Sequence, residues 1–195
     1  METTERPLPE LVTVAQRQAA ATGFAWSCIP EVGRLLMLAA AAKPAGVIAE
    51  SGTGVGVGAA WLHAGLGEHA SLVTVEQEPD RAARAAALFA ADPRVEVLVG
   101  DWRLLEAHAP FDVFFCDGGG KREDPERVVD LLAPGGLLLL DDFTPSNHWP
   151  PRHNGEIDEL RLFYLSHPKL CATEVMTTPT SSAIIATRLS AAPNR

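Results

Sequence analysis

The sequence is constrained most by residues 47–58, which read Val-Ile-Ala-Glu-Ser-Gly-Thr-Gly-Val-Gly-Val-Gly. A short apolar run ends in the carboxylate Glu50, four glycines follow at alternate positions, and a helical pattern begins at Ala59. This order predicts a strand, a tight turn and a helix. Glycine is needed where a turn takes a positive φ or where a ligand must touch the backbone. Because a helix also presents free N–H groups at its start, the segment is interpreted as a cofactor-binding turn.

The charge of this turn bears on the kind of cofactor. The segment from Gly54 to Ala59 satisfies the loose dinucleotide pattern G-x-G-x-x-A. However, Glu50 would repel a pyrophosphate, and no Lys or Arg between residues 44 and 80 compensates for it. S-adenosylmethionine carries an ammonium and a sulfonium group and no phosphate, so an acidic turn suits it better. An NAD-dependent oxidoreductase and a non-catalytic S-adenosylmethionine-binding protein stay open as alternatives.

Strand and helix patterns alternate along the rest of the chain. Two helical patterns come first, at 9–21 and 30–43, and strand patterns follow at 46–50, 71–76, 95–99, 111–116, 137–140, 170–176 and 182–189. The alternation predicts an α/β fold with a doubly wound, Rossmann-like sheet of seven strands. The last strand follows its neighbour through a short turn and is therefore expected to be antiparallel. We expect one domain over 1–195, with an N-terminal helical segment (1–45) and a Rossmann-like core (46–195).

Acidic residues follow every predicted parallel strand. They are Glu50, Glu76, Asp101, Asp117, Asp141 and Asp142. Ligands of doubly wound sheets bind beyond these strand ends, and carboxylates that face one crevice repel each other. A cationic or hydrogen-bond-donating ligand is therefore expected in this crevice.

The acidic side chains suggest where each part of the cofactor binds. Glu76 can accept hydrogen bonds from two ribose hydroxyls, which it would do for either cofactor class. Asp101 can accept from the adenine amino group or cap the next helix, and both roles are compatible. The ring of Trp102 is either a surface beside the adenine or part of the core. The predicted cofactor contacts are Glu50, Gly52, Thr53, Gly54, Gly56, Glu76, Gln77, Asp101, Trp102 and Asp117.

Residues 50–58 resemble motif I of class I S-adenosylmethionine-dependent methyltransferases, which reads E-x-G-x-G-x-G. The chain over 26–145 resembles the catechol and caffeoyl-CoA type of cation-dependent O-methyltransferase. In that family an Asp after strand 4 and an Asp-Asn pair after strand 5 hold a divalent metal, which binds vicinal oxygens of a phenolic substrate. The resemblance implies that Asp117, Asp141 and Asp142 hold Mg²⁺ or another divalent cation. Here the pair is Asp-Asp, and Lys121 lies one place later than the family's lysine.

The resemblance implies methyl transfer from S-adenosylmethionine to an oxygen of a small, phenolic or catechol-like acceptor. Besides the metal, Lys121, Asp117 and a histidine of the irregular segment 143–155, His148 or His153, are candidate catalytic groups. The alternative to a metal site is that Asp117 contacts only the cofactor, while Asp141 and Asp142 simply end a strand.

Composition limits the partners. Lys plus Arg is 16 against 25 Asp plus Glu, a net charge of −9, so nucleic acid is not expected as a partner. The longest apolar run, 35–42, is too short to span a membrane, and residues 1–7 lack a signal-peptide pattern. With three scattered cysteines, this favours a cytoplasmic protein. The apolar N-terminal helices favour a homodimer.

Overall fold

The computed structural model describes residues 7–190, and a sheet of seven strands lies at its centre. The strands lie in the order β3-β2-β1-β4-β5-β9-β8. Their bounds are β1 Val47–Ser51, β2 Ser71–Glu76, β3 Val95–Val99, β4 Phe111–Cys116, β5 Leu132–Phe143, β8 Leu170–Thr178 and β9 Ser181–Arg188. A separate two-stranded ribbon consists of β6 Arg152–His153 and β7 Glu156–Ile157.

Strand direction confirms the predicted fold class. Strands β1 to β5 pair in parallel, whereas β9 is antiparallel to both of its neighbours, β5 and β8. Only residues 179–180 separate β8 from β9, and a link this short cannot make the crossover that parallel strands need. The sheet is therefore α/β, seven-stranded and mostly parallel, with an antiparallel last strand, as the sequence predicts.

Helices cover both faces of the sheet. They are α1 Glu10–Thr22, α2 Pro30–Ala41, α3 Val57–Ala64, α4 Pro79–Phe89, α5 Pro125–Asp130, α6 Glu159–Ser166 and a 3₁₀ helix, Trp102–His108. Side chains of β4 alternate between the two resulting cores: Val113 and Phe115 join one, and Phe114 and Cys116 join the other. Such burial on both faces explains why this central strand is almost entirely apolar.

The two predicted N-terminal helices precede β1 and belong to one of these cores. Val12 of α1 and Leu36 of α2 are fully buried there, together with Trp61 of α3. The approach of α2 to α3 depends on Gly33, because a Cβ atom at that position would lie 2.2 Å from the Trp61 ring. The N-terminal segment therefore packs directly behind the glycine-rich turn.

Two local expectations are wrong. The segment 143–155, predicted to be irregular, contains β6 and the turn to β7, with Asn154 and Gly155 both at positive φ. Strand β5 begins at Leu132 rather than at 137, and the predicted turn at 133–136 is an irregularity in its pairing with β4. Gly135, at φ +76°, permits that irregularity because it has no Cβ atom.

Between residues 7 and 190, no helix combines the length and the apolar character needed to cross a membrane. Residues 1–6, on which the expected lack of a signal peptide partly rests, lie outside the described part. The single domain, the homodimer and the cytoplasmic location stay predictions.

Candidate active site

The glycine-rich turn has the backbone that its sequence predicts. Gly52, Gly54 and Gly56 all take positive φ, at +90°, +54° and +97°. A Cβ atom at residue 52 would lie 2.7 Å from the Cα atom of Gly118, and one at residue 54 would lie 2.7 Å from the ring of Phe24. The turn is therefore closed in by the loop after β4 and by the segment between α1 and α2.

A cavity of about 560 Å³ opens beyond the carboxyl ends of the parallel strands. Nine of the predicted site residues line it together: Gly52, Gly54, Glu76, Gln77, Asp101, Trp102, Asp117, Asp141 and Asp142. Six other candidate residues do not line it: Glu50, Thr53, Gly56, Lys121, His148 and His153. The cavity therefore collects the acidic strand ends, whereas several residues of the turn lie behind its wall.

Glu50 is buried behind the turn and borders only a recess of about 10 Å³ beside the main cavity. Its Oε2 accepts a hydrogen bond of 2.6 Å from the hydroxyl of Thr74. Since that hydroxyl has one proton, the hydroxyl of Thr53 must be the donor in its own contact with Thr74. Burial raises the pKa of Glu50 to about 8, Asp117 and Glu76 add to the rise, and the hydrogen bond from Thr74 opposes it.

The other glycines of the motif serve packing. A Cβ atom at Gly58 would lie 2.2 Å from Oε1 of Glu50, so this carboxyl group lies against the first turn of α3. Gly56 faces α4 instead of the cavity, because its Cβ position is 2.8 Å from Leu88. The predicted cofactor contact through Gly56 is therefore a contact between the turn and a helix in this structure.

Glu76 lies in the cavity wall with both carboxylate oxygens held by backbone donors. The N–H of Gly54 donates to Oε2 at 2.7 Å, and that of Glu78 donates to Oε1 at 2.9 Å. The guanidinium of Arg81 lies 3.4 Å from Oε1 and also covers the ring of Phe24 at 5.4 Å. The carboxylate is thereby fixed in one orientation at the edge of the glycine-rich turn.

Asp101 and Trp102 also line the cavity. Asp101 accepts a hydrogen bond of 3.0 Å from the N–H of Arg103, so it caps the 3₁₀ helix while it also lines the cavity. The ring of Trp102 is 96% buried, and a Cβ atom at Gly119 would lie 2.6 Å from it. Both predicted roles of Asp101 are compatible with this geometry, and the Trp102 ring supports the loop after β4.

Lys121 lies beneath the cavity floor with its ammonium group among the three aspartates. The Nζ atom donates to the backbone oxygen of Asp141 at 3.0 Å and lies 3.5 Å from Oδ1 of Asp117 and 3.9 Å from Oδ2 of Asp142. The side chain is only 6% exposed. Its charge is therefore directed at the point where the sequence predicts a divalent cation.

The carboxyl groups around Lys121 differ in their exposure to solvent. The side chain of Asp142 is 75% exposed, whereas those of Asp117 and Asp141 are largely buried. Burial raises the pKa of Asp141 to about 6, and it also raises the pKa of Asp117, which the Lys121 ammonium opposes. Within the described residues no three His, Cys, Asp or Glu side chains form a group that could hold a metal ion. The arrangement does not fit the predicted metal.

The two candidate histidines lie away from the cavity. Both His148 and His153 are exposed, and neither lines the cavity wall. His148 follows Ser146 in the loop after β5, and His153 lies in the β6–β7 ribbon. Their predicted role as general base has no support from this geometry, because a base must come within hydrogen-bond reach of the reacting proton.

Several cavity residues were not predicted from the sequence: Ser27, Cys28, Arg81, Gly119 and Glu123. Burial raises the pKa of the Cys28 thiol well above its usual value, and the carboxylates of Glu50, Asp117 and Asp141 raise it further. Arg81 could have been identified from the sequence as a cavity residue, because it lies two residues after Pro79, in the first turn of the helix that follows Glu76. The rings of Phe24 and Trp26, which also line this cavity, meet edge to face at 5.8 Å.

Comparisons with known proteins agree with the predicted resemblance. Residues 49–143 match a family model described as a methyltransferase domain. A provisionally named O-methyltransferase from Mycobacterium sp. (strain JLS) is 32% identical over 146 residues, which are 67% of this chain and 64% of that protein. Another, from Mycobacterium avium (strain 104), is 33% identical over 142 residues, 67% of this chain and 63% of that protein. The chain thus matches less than two thirds of the length of these relatives.

Solved structures share the fold. The O-methyltransferase from Bacillus cereus in complex with SAH has a TM-score of 0.76 at 23% identity, over 95% of this chain and 93% of that one. TomG from Streptomyces achromogenes, an O-methyltransferase solved with SAM, has a TM-score of 0.75 at 22% identity, over 96% of this chain and 93% of that one. The sequence matches agree with the predicted resemblance to a methyltransferase, and the structure matches show that the fold is shared.

Proposed function

We propose that this chain is a class I S-adenosylmethionine-dependent methyltransferase that transfers a methyl group to an oxygen atom of a small acceptor. The observation that carries the proposal is the cavity beside the glycine-rich turn, which Glu76, Asp101 and Asp117 line together, so that a cationic cofactor is favoured over an anionic one. The match of residues 49–143 to a methyltransferase domain and the names of the relatives support the same activity.

The cofactor would extend along the cavity from the turn to the 3₁₀ helix. Glu76 would accept hydrogen bonds from the ribose hydroxyls, and Asp101 would accept one from the adenine amino group. The amino-acid part would lie at Gly52 and Asp117, with the buried carboxyl group of Glu50 behind them. Glu76, Asp101, Gly52 and Asp117 all line this cavity, and Glu50 borders the recess beside it.

A dinucleotide is disfavoured by the same charges. A pyrophosphate at Gly52 and Gly54 would lie beside the carboxyl groups of Asp117 and Glu76, and these groups would repel it when they are ionised. Arg81 does line the cavity, but its guanidinium already contacts Glu76 and the Phe24 ring. The electrostatic balance therefore favours a cationic cofactor over an anionic one.

The reaction is an in-line displacement at the cofactor's methyl group. The acceptor hydroxyl gives its proton to a carboxylate, its oxygen forms the new C–O bond, and the C–S electron pair returns to sulfur. Asp117 is the proposed proton acceptor, because it lines the cavity and its pKa is raised by burial. Lys121 acts as a positioning residue, since its ammonium favours the ionised form of Asp117 before the proton arrives.

The acceptor is proposed to be a small phenolic or catechol-like compound. Phe24 and Trp26 line the cavity beside the aspartates, and Trp26 is 77% exposed, so its ring is free to cover a flat ligand. The net charge of −9 supports a small-molecule acceptor over nucleic acid. No step above depends on a divalent cation.

The proposed activity is tested with S-adenosylmethionine that carries a deuterated methyl group and a panel of phenols, catechols, carboxylic acids and amines. Mass spectrometry should show a deuterated methyl ether and an equimolar amount of S-adenosylhomocysteine with at least one phenolic acceptor. Transfer only to nitrogen would contradict the reaction class. Stoichiometric cofactor binding without product from any acceptor would favour a non-catalytic binding protein.

A further inference from the structure

The ammonium group of Lys121 lies where three acidic residues meet, and the surrounding chain fixes it there. Tyr164 donates a hydrogen bond of 3.0 Å to the backbone oxygen of Lys121. The preceding Gly120 takes φ +99°, packs against the Trp102 ring and donates its N–H to Glu123 at 2.6 Å. These contacts hold the lysine backbone on both sides, so the side chain enters the aspartate cluster from a defined direction.

The contacts of Nζ match the charge of the cluster. Nζ donates to the backbone oxygen of Asp141 and lies within 3.5–3.9 Å of one carboxylate oxygen each of Asp117 and Asp142. Oδ1 of Asp117 is buried and has no hydrogen-bond partner between residues 7 and 190, so the nearby ammonium gives it electrostatic rather than hydrogen-bonded compensation. A buried ammonium group is retained only where opposite charges compensate its desolvation.

We propose that the ammonium group of Lys121 takes the place of the divalent cation in this site, so that the protein is metal-independent. A divalent ion bound by these aspartates would have to share carboxylate oxygens of Asp117 and Asp142 with a group of like charge. The ion and the ammonium group would repel each other strongly, because like charges bound to the same carboxylates lie close together in a partly buried site. The part of this inference that concerns catalysis rests on the proposed methyl transfer, whereas the part that concerns metal binding does not.

The geometry of the loop after β4 also explains how Lys121 reaches the aspartates. Lys121 follows Asp117 by four residues, and three consecutive glycines, 118–120, lie between them. Gly118 packs on Gly52, and Gly119 and Gly120 pack on Trp102, so the loop passes tightly between the turn and the indole. The next side chain then enters the cluster from beneath the cavity floor, without lining the cavity itself.

The inference is tested by titrating the protein with Mn²⁺. Binding is measured by calorimetry and by the electron paramagnetic resonance signal of the Mn²⁺ that stays free. The wild-type protein should show no saturable Mn²⁺ binding, with or without S-adenosylhomocysteine. Lys121→Met removes the ammonium and leaves the carboxylates uncompensated, so it should gain one Mn²⁺ site per chain, at least about tenfold tighter than any wild-type binding. Adding Asp117→Asn to Lys121→Met should abolish the gained site.

Lys43→Met is the matched control. Lys43 also donates to a backbone oxygen, that of Gly135 at 2.9 Å, but it lies outside the cavity. This variant should bind Mn²⁺ no better than the wild-type protein. If it gained a similar site, the gain in Lys121→Met would reflect a lost surface charge, and the inference would be overturned.

Two further results would overturn the inference. One is saturable, equimolar Mn²⁺ binding by the wild-type protein that Asp117→Asn abolishes, a result that holds even if Lys121→Met fails to fold. The other is a folded Lys121→Met protein, shown by cooperative thermal unfolding, that binds no Mn²⁺. Because Mn²⁺ binding is measured without turnover, failure of the proposed methyl transfer would leave these outcomes interpretable.

Discussion

Glu50 belongs to the glycine-rich motif and should affect stability, although it does not line the main cavity. Its carboxyl group lies between Thr74 and the first turn of α3, and burial raises its pKa from 4.5 to about 8. In the unfolded chain the group ionises near its ordinary value. Between these two values Glu50 binds more protons in the folded protein than in the unfolded chain, so its contribution to the free energy of unfolding falls as pH rises.

Glu50→Gln should remove this pH dependence. Glutamine can still accept the hydrogen bond from Thr74 but does not ionise, so the variant should be the more stable protein at pH 8, by roughly 2 kcal/mol or more. Near pH 4.5 and below the two proteins should have similar stability. Urea unfolding at several pH values between 4.5 and 8 measures the difference, and parallel curves for the two proteins would show that Glu50 ionises normally.

Glu76 is the residue on which cofactor affinity should depend most. Glu76→Gln keeps the shape but removes the charge that would accept from two ribose hydroxyls. A loss of about 1.5–3 kcal/mol, or roughly ten- to a hundredfold in Kd for S-adenosylhomocysteine, is expected from calorimetry. Glu78→Gln is the control, since Glu78 is exposed and outside the cavity. Equal affinities of both variants and the wild-type protein would remove Glu76 from the site.

At the scale of elements, the sequence predicts most of the sheet because periodicity and turn residues are local signals. The Asn154-Gly155 pair joins β6 to β7 with both residues at positive φ, a turn signal that the prolines around it obscured. The start of β5 was missed because Pro134 and Gly135 normally end a strand. Here Lys43 donates to the Gly135 oxygen from a distant part of the chain, a contact that the local pattern does not reveal.

Gly52→Ala should disrupt the turn more than its backbone strain alone predicts. The new methyl group would need φ +90° and would meet Gly118, so about 1–3 kcal/mol of stability and most S-adenosylhomocysteine binding should be lost. Gly135→Ala separates the two causes, because Gly135 also has positive φ but its Cβ position is open. That control should lose only about 1–2 kcal/mol and retain binding. Equal effects of the two variants on binding would contradict a specific role of the turn. Thermal unfolding measures the change in stability, and calorimetry measures the binding of S-adenosylhomocysteine.

At the scale of the whole molecule, parallel strands carry their acidic ends to one edge of the sheet, which is why nine predicted residues meet at one cavity. The sequence could not reveal the partners of these acids. Arg81 reaches Glu76 from α4, and Lys121 reaches the aspartates from below, and both depend on how loops and helices pack. Charge counting along strand ends therefore predicts a need for a cation but not which group supplies it.

The central claim is that this acidic cavity binds S-adenosylmethionine rather than a dinucleotide. Separate calorimetric titrations of the wild-type protein with S-adenosylhomocysteine and with NADH test it most directly. We expect saturable binding of one S-adenosylhomocysteine per chain, weakened in Glu76→Gln, and no saturable binding of NADH. Saturable binding of NADH together with no binding of S-adenosylhomocysteine would contradict the account.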